Sequence, residues 1–329
     1  MSEQIIRLTE KDFETDQEVR WCPGCGDYAI LKSVRKTLAQ IGRDPDQTVF
    51  VSGIGCAARF PHYVETYGFH SIHGRAPALA TGIKLANSDL DVWVVGGDGD
   101  FLSIGGNHLM HALRRNVDLN LLLLNNAIYG LTKGQYSPTS TPGTRSPSTP
   151  AGSVDTPINA TSLALGAGGG FVARTVDTFQ DHLPEILSRA HSFKGAALIE
   201  VLQNCIVYND NAFGDLSSKK SRAENTVIVR HGEPMIFGSE RDKGLTYEPE
   251  RGGFHTSDNI DKICIHDETN WAMAAALARL NDTALPTPIG VFYCEPRIDY
   301  TTAIDSHNPY TPMTRDDLQE VLYEGSWRS

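Results

Sequence analysis

The chain has 329 residues, of which 40% are hydrophobic and 21% charged, with a formal net charge of −11; that suffices for one large domain or two ordinary ones. An acidic balance without a clustered Lys/Arg run excludes a general nucleic-acid binder, whose phosphate contacts need such a cluster. No apolar run reaches the ~18–20 residues that cross a bilayer, and residues 1–20 are polar without a signal-peptide core, so the expectation is a cytoplasmic protein.

The polar lead runs into Trp21-Cys22-Pro23-Gly24-Cys25-Gly26. Ile30, Leu31, Val34, Leu38 and Ile41 then recur at helical spacing, and Gly42 closes that helix. Thr48–Ser52 reads as a buried strand ending in Gly53-Ile54-Gly55-Cys56. Ala76–Asn87 is a second helix, Val92–Val95 a short strand, and Leu102, Leu109, Met110 and Leu113 mark one further helix. Leu121–Leu124, four leucines in a row, predict a strand covered on both faces. Residues 137–157 are rich in Ser, Thr, Pro and Gly and form a long loop, uncommon unless it has a function. A helix over Ala160–Leu165, a strand over Phe171–Val176, a helix over Phe179–Phe193 and a strand over Ala197–Leu202 follow. Such alternation implies an α/β fold, a parallel sheet with helices on both faces. After about residue 224 the pattern loosens. One Ala-rich helix (Asn270–Asn281) among glycines and prolines suggests an irregular C-terminal extension, so the expected division is 1–224 for the main domain and 225–329 for the extension.

The segment from Val94 to Gln135 carries the most chemistry. One strand ends at Gly96-Gly97-Asp98-Gly99-Asp100 and the next at Asn125-Asn126, about one βαβ unit later. Asp98 and Asn126 therefore fall at the carboxyl ends of parallel strands, where open α/β sheets bind ligands. A carboxylate, an amide oxygen and a loop carbonyl near Ile128 are hard donors suited to Mg²⁺, which takes its remaining ligands from water and phosphate. Glycines around Asp98 let the backbone approach a diphosphate, and the start of the next helix favours its charge. Either motif alone would be read as an ordinary turn; the pair at this spacing points to a Mg–diphosphate site.

The chain has six cysteines, and in a cytosolic protein these serve metals or catalysis more often than disulfides. Cys22-x2-Cys25 suits a redox dithiol, half a zinc site or half an iron–sulfur site. A thioredoxin-like pair would follow an apolar strand, whereas residues 8–20 are polar. No second Cys-x2-Cys or close His pair completes a zinc site. Cys56 and Cys205 each stand just past a predicted strand, near the sheet edge that carries Asp98, and four thiolates make a [4Fe–4S] site. Cys264 and Cys294 read as small buried hydrophobes.

The stretches WCPGCGDYAIL, GIGCAARF, YGFHSIHGRAPALATGIKLAN, GDGDFLSIGGNHLMHALRRN and NNAIYGLTKGQYSPTS resemble the β subunits of the 2-oxoacid:ferredoxin oxidoreductases, most of all the 2-oxoglutarate branch. The resemblance implies the thiamine-diphosphate (ThDP) fold and a ThDP-dependent reaction in which 2-oxoglutarate and CoA give succinyl-CoA and carbon dioxide, with electrons passed through a [4Fe–4S] cluster to ferredoxin. Pyruvate or a broader range of 2-oxo acids is the alternative substrate. The resemblance implies Mg²⁺ at Asp98, Asn126 and the Ile128 carbonyl, and the cluster on Cys22, Cys25, Cys56 and Cys205. It implies ThDP contacts from the turn Ile54, Gly55, Cys56, Ala57, from His73, Gly99, Asp100 and Asn126, and from Gly130-Leu131. His73 is assigned to the diphosphate or to acid–base work, with His70 as its possible partner. Lys133 is expected to meet the distal carboxylate of 2-oxoglutarate, and Arg59 the substrate carboxylate or a partner chain. An α subunit is expected to supply the aminopyrimidine-binding domain, commonly in a dimer of αβ units. Two other classes stay open: a ThDP enzyme without redox work, and a non-catalytic module that kept the fold.

Overall fold

The computed structural model describes residues 8–251, 253–280, 285–307 and 313–324. The apolar runs become strands of one eight-stranded sheet. Its members are β1 (Thr48–Ser52), β2 (Tyr67–His70), β3 (Asp91–Gly97), β4 (Leu119–Asn125), β5 (Phe171–Val176), β6 (Ala196–Leu202), β7 (Thr226–Val229) and, after a small sheet, β11 (Thr287–Cys294). They lie in the order β2-β1-β3-β4-β6-β5-β11-β7. Every pairing is parallel except that of β11 with β5.

The leucine run of β4 shows why the sheet is covered twice. Side chains of a strand alternate between faces. Leu121 and Leu123 enter one apolar cluster with Val92, Val94 and Leu109, while Leu122 and Leu124 enter another with Trp93, Phe50 and Ile30. Helices α1 (Asp27–Ile41) and α6 (His182–Ser192) bring Leu31, Val34, Leu183 and Leu187 to the second cluster. On the first face lie α2 (Ala76–Ala86), α4 (Gly106–Arg115), α5 (Ala160–Gly166) and, later in the chain, α9 (Trp271–Ala278). Gly42 ends α1 in the left-handed conformation, at φ +66°, where it carries no side-chain penalty.

Two expectations are corrected. The single helix through Leu102 and Leu113 is two: α3 (Asp98–Leu102) and α4, separated at Ser103, whose φ −90°, ψ −110° lie outside the helical region. The C-terminal part is more regular than its sequence suggests. The expected boundary near residue 224 falls just before β7, and β7 and β11 continue the same sheet. Between them, β8 (Ile236–Phe237), β9 (Lys243–Glu248) and β10 (Gly253–Ser257) form a three-stranded antiparallel sheet. β11 pairs with β5, far earlier in the chain, and no local periodicity announces such a partner. Short helices α7 (Gly214–Ser217) and α8 (Arg222–Asn225) precede β7, and α10 (Tyr300–His307) and α11 (Arg315–Tyr323) close the described chain. Among the described residues no helix is long and apolar enough to cross a membrane.

Candidate functional site

The site begins where β3 and β4 end. Asp98 starts α3 and is 1% exposed. Burial pushes its carboxyl up to about 6 even though Ser137 and Thr139 donate to it. Both hydroxyls meet the same oxygen, Oδ2, at 2.5 and 2.6 Å. They come from the long loop that the composition singled out, so that loop is folded back onto the strand ends. Asn126 is half-buried in the turn after β4, with its Oδ1 accepting from the Ile128 amide at 3.2 Å. Asp98, Asn126 and Ile128 line one cavity of about 120 Å³, together with the Ile54–Ala57 turn, His73, Gly99, Tyr129, Gly130 and Leu131. Gly99 has a packing reason: a Cβ there would lie 2.1 Å from the Tyr129 ring, and Tyr129 donates its hydroxyl to the Gly99 carbonyl at 3.1 Å.

Asp100 is placed differently from the expectation. It is 2% exposed and does not line the cavity. Its Oδ1 accepts from the Ile54 amide at 3.1 Å, from the Gly74 amide at 2.8 Å and from His73. It thereby ties the Gly53–Cys56 turn and the His73-Gly74 turn to α3 from behind. Gly53 makes room, since a Cβ there would meet Asp100 Oδ2 at 2.0 Å. A carboxylate only accepts, so a neutral His73 carries its proton on Nδ1 and keeps Nε2 as an acceptor. His70 does not join His73. Its Nδ1 lies 2.9 Å from the Ala58 carbonyl and 3.2 Å from Ser52 Oγ, and the residue lines an adjoining cavity with Arg59 and His62.

The four expected cysteines come together. Cys22, Cys25, Cys56 and Cys205 line a cavity of about 190 Å³ with Arg59, Ile206 and Val207. A Cβ on Gly130 would stand 3.6 Å from Cys205 Sγ and 3.8 Å from Cys56 Sγ. Trp21 explains its place before the pair. Its indole donates to the Cys56 carbonyl at 2.8 Å and its ring packs against Tyr28, Phe60 and Tyr63. Arg59 donates to the Arg20 carbonyl, closing the same junction a second way. The Gly26 amide meets the Asn204 carbonyl at 3.3 Å, and Gln203 Nε2 lies 3.6 Å from Cys25 Sγ. Burial pushes the Cys25 thiol well above its ordinary range and the Cys56 thiol up to about 11, with Asp27 adding to both. Asp27 itself is fully buried, and desolvation raises it to about 6. All six cysteines are free thiols. Cys264 and Cys294 pack partly buried against the two apolar clusters, away from this cavity.

The two cavities share walls: Cys56, Asn126, Gly130 and Leu131 line both. Asn209, on the Cys205 loop, donates to the Asn126 carbonyl at 2.9 Å and tightens the junction. Lys133 stands exposed just beyond, at φ +77° in a turn closed by its own amide on Gly130; Leu131 and Thr132 line the cavity and Lys133 is outside that lining. Among the described residues no three His, Cys, Asp or Glu side chains converge closely enough for a single metal ion. Neither expected group asks for that. Mg²⁺ beside a diphosphate needs one or two protein carboxylates or amides, and a four-iron cluster spreads its thiolates around a larger frame than one ion. The sequence reading missed Ser137, Thr139, Tyr129, Asp27 and Gln203. Only the loop's Ser/Thr content hinted at the first two.

Residues 53–201 match the family described as "Thiamine pyrophosphate enzyme, C-terminal TPP binding domain". The chain is 53% identical over 305 residues to 2-oxoglutarate oxidoreductase subunit KorB of Mycobacterium tuberculosis, covering 90% of this chain and 80% of that one. It is 40% identical over 326 residues to 2-oxoacid:ferredoxin oxidoreductase 1, subunit beta, of Aeropyrum pernix, covering 96% and 93%. A solved structure of 2-oxoglutarate:ferredoxin oxidoreductase from Magnetococcus marinus, with 2-oxoglutarate, coenzyme A and succinyl-CoA bound, superposes with a TM-score of 0.79 over 97% of both chains at 29% identity.

Proposed function

Since the chain belongs to the β subunits of the 2-oxoacid:ferredoxin oxidoreductases, in the 2-oxoglutarate branch, we propose that it carries the diphosphate end of ThDP and one [4Fe–4S] cluster side by side. The proposed reaction converts 2-oxoglutarate and CoA to succinyl-CoA and carbon dioxide, releasing a proton and passing two electrons to ferredoxin; it is reversible. The observation that carries this reading is the shared wall of the two cavities through Cys56, Asn126, Gly130 and Leu131. A cofactor held beside Asp98 and a cluster held by the four cysteines would then lie close together, which is what electron transfer between them would need.

The donor sets fit both groups. A buried carboxylate with an amide and a carbonyl nearby suits Mg²⁺ and a diphosphate, and four thiols around one cavity suit a cluster. ThDP, when bound, supplies the electron sink for decarboxylation of a 2-oxo acid. The rest falls to this chain's own residues. Asp98, Asn126 and the Ile128 carbonyl would hold the metal, and the Ile54–Ala57 turn and Gly130-Leu131 would bound the cofactor. His73, half-exposed at the cavity and fixed by Asp100, has Nε2 free to accept a proton or a hydrogen bond. Arg59 lies between the cysteine cavity and its neighbour, beside the place a substrate carboxylate or the partner chain would take. Lys133 would reach the distal carboxylate of 2-oxoglutarate.

The cavity of about 120 Å³ is smaller than the ~300–1,000 Å³ of a complete small-molecule site. That supports an α subunit supplying the aminopyrimidine-binding half; the assembly we propose is a cytoplasmic dimer of αβ units. In this reading residues 1–224 bear the cofactors and 225–329 are the C-terminal extension, whose strands β7 and β11 complete the sheet. Anaerobic co-purification with the α subunit tests the proposal. ThDP, magnesium, iron and acid-labile sulfide are then measured, with about four irons per β chain expected. A complex that holds ThDP but no iron would leave a non-redox ThDP enzyme instead.

A further inference from the structure

A buried ion pair sits beside the proposed metal site without touching it. Arg174 on β5 and Glu200 on β6 face each other in register and are 4% and 3% exposed. Arg174 Nε donates to Glu200 Oε2 at 2.7 Å, and another guanidinium nitrogen donates to Thr161 Oγ1 at 3.0 Å. Glu200 Oε1 accepts from Asn125 Nδ2, on the adjacent β4, at 2.8 Å. An ionised carboxylate accepts only, so the Asn125 amide has one permitted orientation. Its Oδ1 must face the other way. There it accepts from the Ala127 amide at 3.1 Å and lies 2.9 Å from Thr139 Oγ1. Thr139 Oγ1 has one proton to give and shares it between this oxygen and Asp98 Oδ2, so the position of Asn125 Oδ1 bears on the bond Thr139 makes to Asp98.

We propose that Arg174 and Glu200 are positioning residues for the metal site: by fixing the Asn125 amide they set the 126–128 turn and Thr139, and through Thr139 the carboxylate of Asp98. The proposal rests on the reading that Asp98, Asn126 and the Ile128 carbonyl hold Mg²⁺. Stability alone accounts poorly for the pair, because well-packed apolar residues of similar volume commonly serve a core as well or better. An ordered row across three neighbouring strands, continued by a loop threonine to a buried carboxylate at the start of α3, is what fixing a ligand to a fraction of an ångström requires.

The test uses the αβ complex. Two variants are compared with wild type: the double change Arg174→Met with Glu200→Leu, which removes both charges together, and Thr139→Val, which removes only the last hydroxyl of the row. Calorimetry gives the Mg²⁺ concentration that half-saturates ThDP binding, and thermal unfolding without Mg²⁺ or ThDP reports the fold. The expected result is a rise in that Mg²⁺ concentration of about tenfold or more in each variant, with the unfolding temperature of Thr139→Val near wild type. A pair with a packing role only would leave the Mg²⁺ requirement alone, whatever the double change does to the unfolding temperature. Wild-type Mg²⁺ dependence in Thr139→Val, or in a folded double variant, overturns the proposal; a double variant that fails to fold leaves Thr139→Val to decide. If the wild-type complex itself binds ThDP without regard to Mg²⁺, the underlying site reading fails, and this proposal with it.

Discussion

The cavity around Asp98 and the cavity around the cysteines adjoin, yet they are put together in opposite ways. In the first, the carboxylate and its polar partners come from consecutive pieces, with the Ile54–Ala57 turn and His73 packed beside them. Two strand ends one βαβ unit apart meet there, and the loop after the second returns two hydroxyls to the carboxylate of the first. The second cavity draws on segments near residues 22–25, 56 and 205. What joins them is a set of long-range contacts: the Trp21 indole on the Cys56 carbonyl, Gly26 on Asn204, Gln203 beside Cys25. A hard ion can be held by a locally built polar turn; the four thiols, with no close run of cysteines in this sequence to supply them, come from three separate segments.

The strongest way to break the comparison is at the cysteines. Changing any one of Cys22, Cys25, Cys56 or Cys205 to Ala should lose most of the iron and ferredoxin reduction, with ThDP still bound in the variants of Cys22, Cys25 and Cys205, which lie outside the Asp98 cavity. Cys264→Ala and Cys294→Ala should lose neither. Full iron content and full activity in Cys205→Ala would remove the cluster assignment. At the other cavity, Asp98→Ala should abolish Mg²⁺-dependent ThDP binding with iron retained, because the neutral donors left cannot offset the charge of the ion. Unchanged ThDP affinity by calorimetry would contradict it.

Substrate reading should be the next largest effect. On the proposed role of Lys133, Lys133→Ala would remove a charge-assisted contact, at a cost of about 1.5–3 kcal/mol, or about ten- to a hundredfold. The KM for 2-oxoglutarate should rise by that factor, with pyruvate turnover nearly unchanged, since pyruvate has no distal carboxylate. Equal losses on both substrates would move Lys133 to a role in the turn.

The two sites share one feature that pH can sharpen. Burial raises both Asp98 and Asp27 from 3.8 to about 6. The folded state therefore holds these protons more tightly than the unfolded one, and the stability they contribute is full below about 4 and lost as pH rises through 6. In cofactor-free protein, Asp98→Asn should thus raise the unfolding temperature more at pH 7 than at pH 5, a difference of order a few kcal/mol at most. Asp27→Asn should do the same at the cysteine cavity. No pH dependence in the gain would mean that the carboxyl is not the strained group. The smallest effect is expected at Trp21→Phe, which keeps most of the ring packing and loses one hydrogen bond worth about 1 kcal/mol. A modest loss of thermal stability, with iron retained, is the expected outcome.

Apolar patterning in the sequence is enough to place β1, β3, β4, β5 and β6 and most of the helices between them, because the helices bury one face at the helical period while the strands, covered on both faces, read as continuous apolar runs. The Asp98 site is legible for the same reason: its parts lie at the ends of those elements, and turn residues mark the ends. The four cysteines are legible as residues, since thiols in such a pattern are scarce. Their arrangement is another matter. Nothing local says that Trp21 caps the Cys56 turn, that Asp100 works from behind the cavity, or that His70 faces a different cavity from His73. Those outcomes follow from which strands lie side by side. Pairing between β11 and β5, or between Arg174 and Glu200, depends on the energy of the whole packed sheet and leaves no trace in a short window of sequence. The sequence by itself determined the α/β fold, the diphosphate-type motif and the candidate ligands; tertiary structure alone decided that the two cavities share a wall, because only packing brings residues 56, 126, 130 and 205 to one place.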